Sequence, residues 1–181
     1  MGKIVIISGP SGSGKTTVCK LLENDARVKK SVSVTTRPPR QNENNGESYH
    51  FVSTAEFEDM IRKGELAEYA TYCGNYYGTP LNALKEALNK DVIYLLEIEV
   101  QGALQIIEKF PEAISVFLLP PDKKTLSHRL VKRNTNKEQD MAVRLKTADK
   151  ELEYKDRYDH CVVNDDLEET INTIRKILKL V

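Results

Sequence analysis

The sequence has no surplus of charge, no long apolar run and no patterned cysteines, and each absence removes a class of function. Lysine and arginine number 27, and so do aspartate and glutamate, for a formal net charge of zero. That balance gives no general attraction to nucleic acid or to a membrane surface, and neither is expected as a partner. No apolar stretch approaches membrane-spanning length, and the first residues run straight into a strand-like segment. Neither a transmembrane helix nor a secretory signal peptide is therefore expected. Cys19, Cys73 and Cys161 are scattered without C-x-x-C spacing. They read as reduced thiols of a cytoplasmic protein, not as a disulfide framework or a zinc site. His50, His128 and His160 form no cluster, and internal repeats and low-complexity tracts are missing. The 181 residues suit one domain with a sizeable core and small inserted lobes.

What is present centres on Gly9-Pro10-Ser11-Gly12-Ser13-Gly14-Lys15-Thr16, which spells the phosphate-binding loop G-x-x-x-x-G-K-[ST]. Lys3 to Ser8 before it is β-branched and apolar and reads as a buried strand. After it, Val18, Leu21 and Leu22 fall on one face of a helix. Glycines let successive backbone N–H groups turn inward as an anion nest, and the helix that follows adds its own unsatisfied N–H groups and dipole. Lys15 brings charge to the outer phosphates, Thr16 offers a hydroxyl to Mg²⁺, and Thr17 follows in the first helical turn. The motif points to a nucleoside triphosphate.

Beyond it, Ser31 to Val34 reads as a short strand. The stiff stretch Thr35 to Arg40 holds two prolines, and polyproline geometry puts Arg37 and Arg40 on one side, roughly 9 Å apart. Two guanidiniums so placed suit a phosphate group, while two exposed loop arginines are the plainer alternative. Tyr49 to Val52 reads as a strand, Ser53 to Glu56 as a capping box opening a helix with Phe57, Met60 and Ile61, and Leu66 to Tyr72 as a strand. Gly74 to Gly78 mixes turn and strand, and Thr79-Pro80 reads as an N-cap with proline at the first helical position, before Leu81, Leu84 and Leu88. Asp91 to Glu99 is a second apolar run ending in carboxylates, where a parallel sheet borders its ligand crevice; an acidic residue there, Glu97 foremost, can hold Mg²⁺ directly or through water. A helix through Leu104 and Ile107 and a buried strand from Ile114 to Leu119 follow. Strands alternating with helices predict an α/β fold with a parallel sheet. From Pro121 to Glu153 two helices, broken at Asn134-Thr135-Asn136, carry more basic than acidic residues. They read as a lid closing arginines over phosphates, or as a solvated helix pair. His160 to Val163 is a last strand, and Asn164-Asp165-Asp166 caps a helix whose Leu167, Ile171, Ile174 and Leu178 face the core.

Three further pieces, Ser33 to Arg40, Asn45 to Val52 and Gly74 to Thr79, together with the P-loop, resemble the guanylate kinase family nearly end to end. The resemblance implies a P-loop core (1–32, 81–120 and 154–181), an inserted GMP-binding lobe of mixed β structure with a helix (33–80) and a helical lid (121–153). It implies transfer of the γ-phosphoryl of ATP, with Mg²⁺, to GMP and dGMP. Ser33, Arg37, Arg40, Tyr49 and Tyr77 would hold the GMP phosphate, Glu68, Thr79 and Glu99 would read guanine, and the backbone at Gly78 would line that pocket. Arg129, Arg133 and Arg144 would reach the ATP phosphates, and Asn164 would approach the adenine end. Glu99 stands where the family usually has aspartate, and Asn134 where glycine is common. A non-catalytic binding module of the same fold and a P-loop kinase acting on a sugar phosphate are the other readings. The intact Gly14-Lys15-Thr16 speaks against the first, and the guanine-reading Glu68 and Thr79, with Tyr49 and Tyr77, against the second.

Overall fold

Five of the six residues from Lys3 to Ser8 are buried, as a strand covered on both faces requires. This strand, β1, stands at the middle of the sheet in the computed structural model, which describes residues 2–133 and 138–180, without the side chains of 130–144. The chain continues through α1 (Lys15–Leu22), β2 (Val28–Lys30), β3 (Val34–Thr35), β4 (His50–Phe51), α2 (Thr54–Arg62), β5 (Leu66–Tyr72), β6 (Asn75–Pro80) and α3 (Leu81–Leu88). It then forms β7 (Ile93–Glu97), α4 (Val100–Lys109), β8 (Ile114–Leu119), α5 (Lys123–Arg133), α6 (Glu138–Leu152), β9 (His160–Val163) and α7 (Leu167–Leu178).

The main sheet runs in the order β2-β7-β1-β8-β9 with every pairing parallel. Side chains alternate along β1, so the sheet has two apolar faces. Val5 and Ile7 join Val18 and Leu22 of α1 and Ile174 and Leu178 of α7. Ile4 and Ile6 join Leu84 of α3 and Ala103 and Ile106 of α4. Each such Val, Leu or Ile side chain, fully buried, contributes roughly 1.5–3 kcal/mol. Because all strands point one way, the carboxyl ends of β1 and β7 lie side by side, with Ile7 opposite Glu97.

A second sheet, order β4-β3-β6-β5, interrupts the core between β2 and α3. It is mixed: β3 pairs parallel with β4, and β6 runs antiparallel to β3 and β5. Phe57 of α2 fills its apolar side, stacked 5.1 Å from the Tyr76 ring. The capping box read at Ser53 and Glu56 forms in full.

Several local expectations need correction. The strand expected over Ser31 to Val34 is confined to Val34–Thr35, and Val28–Lys30 forms an edge strand that its sequence did not announce. Thr79 belongs to β6 and is no N-cap: Pro80 holds that position, and helix α3 starts at Leu81. Leu167 stays 37% exposed, because as the first residue of α7 it lies above the buried ridge of Ile171, Ile174 and Leu178. The expected break at Asn134 to Asn136, the side chains of Arg133 and Arg144 and that of Met141 lie outside the described residues.

Candidate active site

Where β1 ends, the chain leaves the sheet through Gly9, whose φ of +139° and 2.4 Å approach to Leu118 O at the Cβ position admit no side chain. The loop closes on itself through Ser13 N–H to Pro10 O (3.1 Å) and enters α1 at Lys15. Asn164, 5% exposed at the end of β9, braces the loop from behind: its Nδ2 donates to Ser13 O at 2.7 Å. Arg129 of α5 reaches the same junction, donating to Asn164 O at 3.3 Å.

Lys15 Nζ donates to Gly9 O (2.6 Å) and Pro10 O (3.3 Å) and lies 3.4 Å from Glu99 Oε2. Thr16 Oγ1 donates to Glu97 Oε1 at 2.5 Å, and Lys30 Nζ reaches Glu97 Oε2 at 2.6 Å. Burial opposes the charge on Glu97, but Lys30, Thr16 and Lys15 together outweigh it, so the carboxyl stays below its usual range. Two carboxylates, a hydroxyl and two ammonium groups thus meet at the carboxyl ends of β1 and β7.

On the facing side the second sheet gathers another set. Arg37 Cζ lies 5.4 Å from the Tyr49 ring centroid, and the guanidinium also bonds to Tyr77. Its charge is met at 2.9 Å by Glu43, whose other oxygen accepts from the Arg40 N–H at 2.8 Å. The rings of Tyr49 and Tyr77 lie edge to face, 6.1 Å apart. Burial, then the charge of Glu97, pushes the Tyr49 hydroxyl up to about 12, so it stays a donor. Deeper, on neighbouring strands, Thr79 Oγ1 donates to Glu68 Oε1 at 2.7 Å, both residues being buried. Burial lifts the Glu68 carboxyl to about 7 against the pull of Thr79 and Lys109.

One cavity of about 860 Å³ joins the two sets. Ser11, Gly12, Gly14, Lys15 and Thr16 form its P-loop wall, and Glu97 and Glu99 its floor between the sheets. Ser33, Arg37, Arg40, Tyr49 and Tyr77 line it opposite, with Glu68 at depth. Gly9, Pro10, Ser13, Thr17, Gly78, Thr79, Arg129 and Asn164 do not line it. Thr79 meets it through Glu68, and Asn164 through the loop that it braces.

Four residues with a bearing on the site escaped sequence reasoning. Lys30 gives no local signal. Glu43 sits in a polar turn that reads as solvent-facing. Gly102 lies inside a helical pattern, a placement that does call for an explanation. Glu151 of α6 is 9% exposed and faces the Ser11 N–H, with Glu99 and Lys15 nearby. It lies three residues after Ala148, on a face that its charge disguises.

A glycine loop between a central parallel strand and a helix, opening on a cavity with a second anion-holding wall, defines a P-loop nucleotide-binding α/β protein. The family model described as "Guanylate kinase" matches residues 1–180. The guanylate kinase of Prochlorococcus marinus subsp. pastoris is 47% identical over 178 residues, 98% of this chain and 97% of that one. That of Clostridium tetani is 45% identical over 177 residues, 98% and 85% of the two chains. The crystal structure of guanylate kinase from Anaplasma phagocytophilum superposes with a TM-score of 0.81 at 38% identity, covering 99% of this chain and 85% of that one. The chain belongs to the guanylate kinase family. Shikimate kinase from Bacteroides thetaiotaomicron, at a TM-score of 0.54 and 14% identity, shares the fold alone.

Proposed function

We propose that the chain transfers the γ-phosphoryl group of ATP to GMP, giving ADP and GDP, with core, GMP lobe and lid divided at 1–32, 81–120 and 154–181, 33–80, and 121–153. The observation that carries this reading is the single cavity that joins Lys15 and Thr16 to Arg37, Tyr49, Tyr77 and Glu68.

ATP enters along the P-loop, where the N–H groups of Gly12 and of Gly14 to Thr17 face its phosphates and Lys15 turns from the Gly9 and Pro10 carbonyls to the β- and γ-oxygens. Arg129, Arg133 and Arg144 of the lid add charge to the same phosphates. Asn164 serves the ATP side by holding Ser13 in place. The GMP phosphate lies between Arg37, Arg40, Ser33, Tyr49 and Tyr77, taking over from Glu43 as the anion beside Arg37. Guanine presents N1–H and its N2 amino group as adjacent donors, and an ionised Glu68 accepts both. Adenine offers an unprotonated N1 there, acceptor against acceptor. Thr79, behind the cavity wall, serves guanine by holding Glu68 in the arrangement found, and a shift of the base or of β6 that exposed its hydroxyl would bring the same proton to guanine O6. Glu99, whose arm is one methylene longer than aspartate's, reaches the amino group only by leaving Lys15.

The reaction forms a bond from a GMP phosphate oxygen to the γ-phosphorus and breaks that to the oxygen bridging to the β-phosphate. The attacking oxygen is already anionic, so no general base is needed, and the residues supply alignment and charge. Thr16 and Glu97 fit Mg²⁺: they are hard oxygen donors already in contact, Glu97 stays ionised, and the nucleotide's phosphates supply further oxygens. Mg²⁺ bound there would draw charge from the β- and γ-phosphates. Free thiols at Cys19, Cys73 and Cys161 are in keeping with a cytoplasmic place.

The test is ADP formation from Mg·ATP with GMP, AMP, UMP and CMP offered separately. Turnover is expected with GMP. Lys15→Ala should lower it by about 10²–10³-fold or more with the melting temperature kept. Turnover with no nucleotide, or with a sugar phosphate instead, would overturn the reading.

A further inference from the structure

Gly102 is buried in the first turn of α4, at a position whose backbone is helical and gives no conformational reason for glycine. Alanine is the better helix former there. The reason for glycine lies across the cavity floor. A Cβ on residue 102 would stand 2.1 Å from Glu68 Oε2 and 2.8 Å from its Cδ, separations that no side chain can keep.

Either the helix or the carboxylate would have to give way, and α4 is fastened to β5 on both sides of Glu68. Gln105 bonds to the N–H and the carbonyl of Tyr69 (3.3 and 2.7 Å), and Lys109 Nζ donates to Ala67 O at 2.7 Å. The Glu68 side chain is the free part. Its Oε1 is held by Thr79, so the displaced atom would be Oε2, the second oxygen of the acceptor pair. The first turn of α4 holds no acidic residue and its N-cap Glu99 makes no capping bond, so Glu68 also meets the positive end of that helix.

We propose that Gly102 is a positioning residue for base selection: the lack of a side chain there sets the place of the Glu68 carboxylate and so the preference for a base with two adjacent N–H donors. This rests on the GMP reading of the cavity. Helix propensity favours alanine at residue 102 while displacement of the buried Glu68 opposes it, so the melting temperature of Gly102→Ala should stay close to that of the parent. Displacement of Glu68 predicts that GMP affinity falls on the order of 10-fold to 100-fold, the range for a hydrogen bond to a charged group, while ATP affinity stays within about two-fold of the parent by the same reasoning.

The experiment is titration calorimetry of GMP and of ATP with the parent, Gly102→Ala, Glu68→Ala and the double variant, with melting temperatures alongside. A selective loss of GMP in Gly102→Ala, and no further loss when it is added to Glu68→Ala, is the expected result. Parent-like GMP binding by Gly102→Ala, equal loss of both nucleotides with a lower melting temperature, or losses that add in the double variant would each overturn the inference. A parent that binds ATP but not GMP, or a Glu68→Ala variant that binds GMP normally, would overturn the GMP reading itself and the inference with it.

Discussion

Thr79 Oγ1 donates to Glu68 Oε1 at 2.7 Å although the residues are 11 apart in sequence, because β5 and β6 pair antiparallel with Thr79 opposite Glu68. A register irregularity between Leu66 and Glu68 sets this pairing. The buried hydroxyl has one proton and the carboxylate needs a donor, so each depends on the other. Replacing Thr79 with valine keeps the shape and removes the donor. A buried polar group left without a partner costs about 1–3 kcal/mol, so the KM for GMP should rise on the order of tenfold to a hundredfold. The KM for ATP should stay put. Steady-state kinetics with each substrate varied in turn measures both, and an equal rise in the two would refute the base-reading role of the pair.

Asn164 ties β9 to the P-loop through Ser13 O, and Gly14 leaves room for its amide, which would stand 2.2 Å from a Cβ there. Asn164→Ala should destabilise the fold by about 1–3 kcal/mol, the cost of the carbonyl left unpaired. It should also raise the KM for ATP more than that for GMP, because the loosened loop holds ATP alone. Urea denaturation and kinetics separate the two effects. A variant with parent-like stability and a raised KM for ATP would place Asn164 in direct contact with the nucleotide instead.

How far the sequence was legible depended on how local each cause was. The strand, loop and helix around Gly9 to Thr16 and the strands at 114–119 and 160–163 stand where they were expected. Lys3–Ser8 and Ile114–Leu119 are apolar runs buried between helices, with turn residues at their ends, whereas His160–Val163 is an edge strand with Val162 alone buried, legible from its Cys161-Val162-Val163 run. Val28–Lys30 has one buried apolar residue in three and becomes a strand only because β7 offers an edge. Thr79-Pro80 has the composition of a helix start, but the bond to Glu68 keeps Thr79 in the sheet. The P-loop side of the site was readable from spacing, whereas Tyr49, Glu68 and Tyr77 emerged through family resemblance. Gly102 and Glu151 matter only through residues that folding brings to them from far along the chain, and no spacing rule could carry that.

Glu151 offers a prediction in which the sign of a pH effect is decisive. Burial first, and the nearby charge of Glu99 second, raise its carboxyl to about 7, while Lys15 and the Ser11 N–H pull the other way. Tyr72 and Tyr158 also feel its charge, and its Oε2 is buried without a hydrogen-bond partner among the described residues. Unfolded, the group would titrate near 4.5. The folded protein therefore holds this proton more tightly than the unfolded chain. The stability it contributes is whole below about 4.5, declines as pH rises and is lost once pH passes about 7. Glu151→Gln keeps an acceptor for Ser11 and carries no charge. Its melting temperature should match the parent's near pH 4.5 and exceed it at pH 8, by an amount worth about 1–3 kcal/mol or several degrees. Thermal melts of both proteins across that range give the difference curve directly. A variant less stable than the parent at pH 8 would mean that the ionised carboxylate is held by Lys15 and Ser11 strongly enough to outweigh both burial and Glu99.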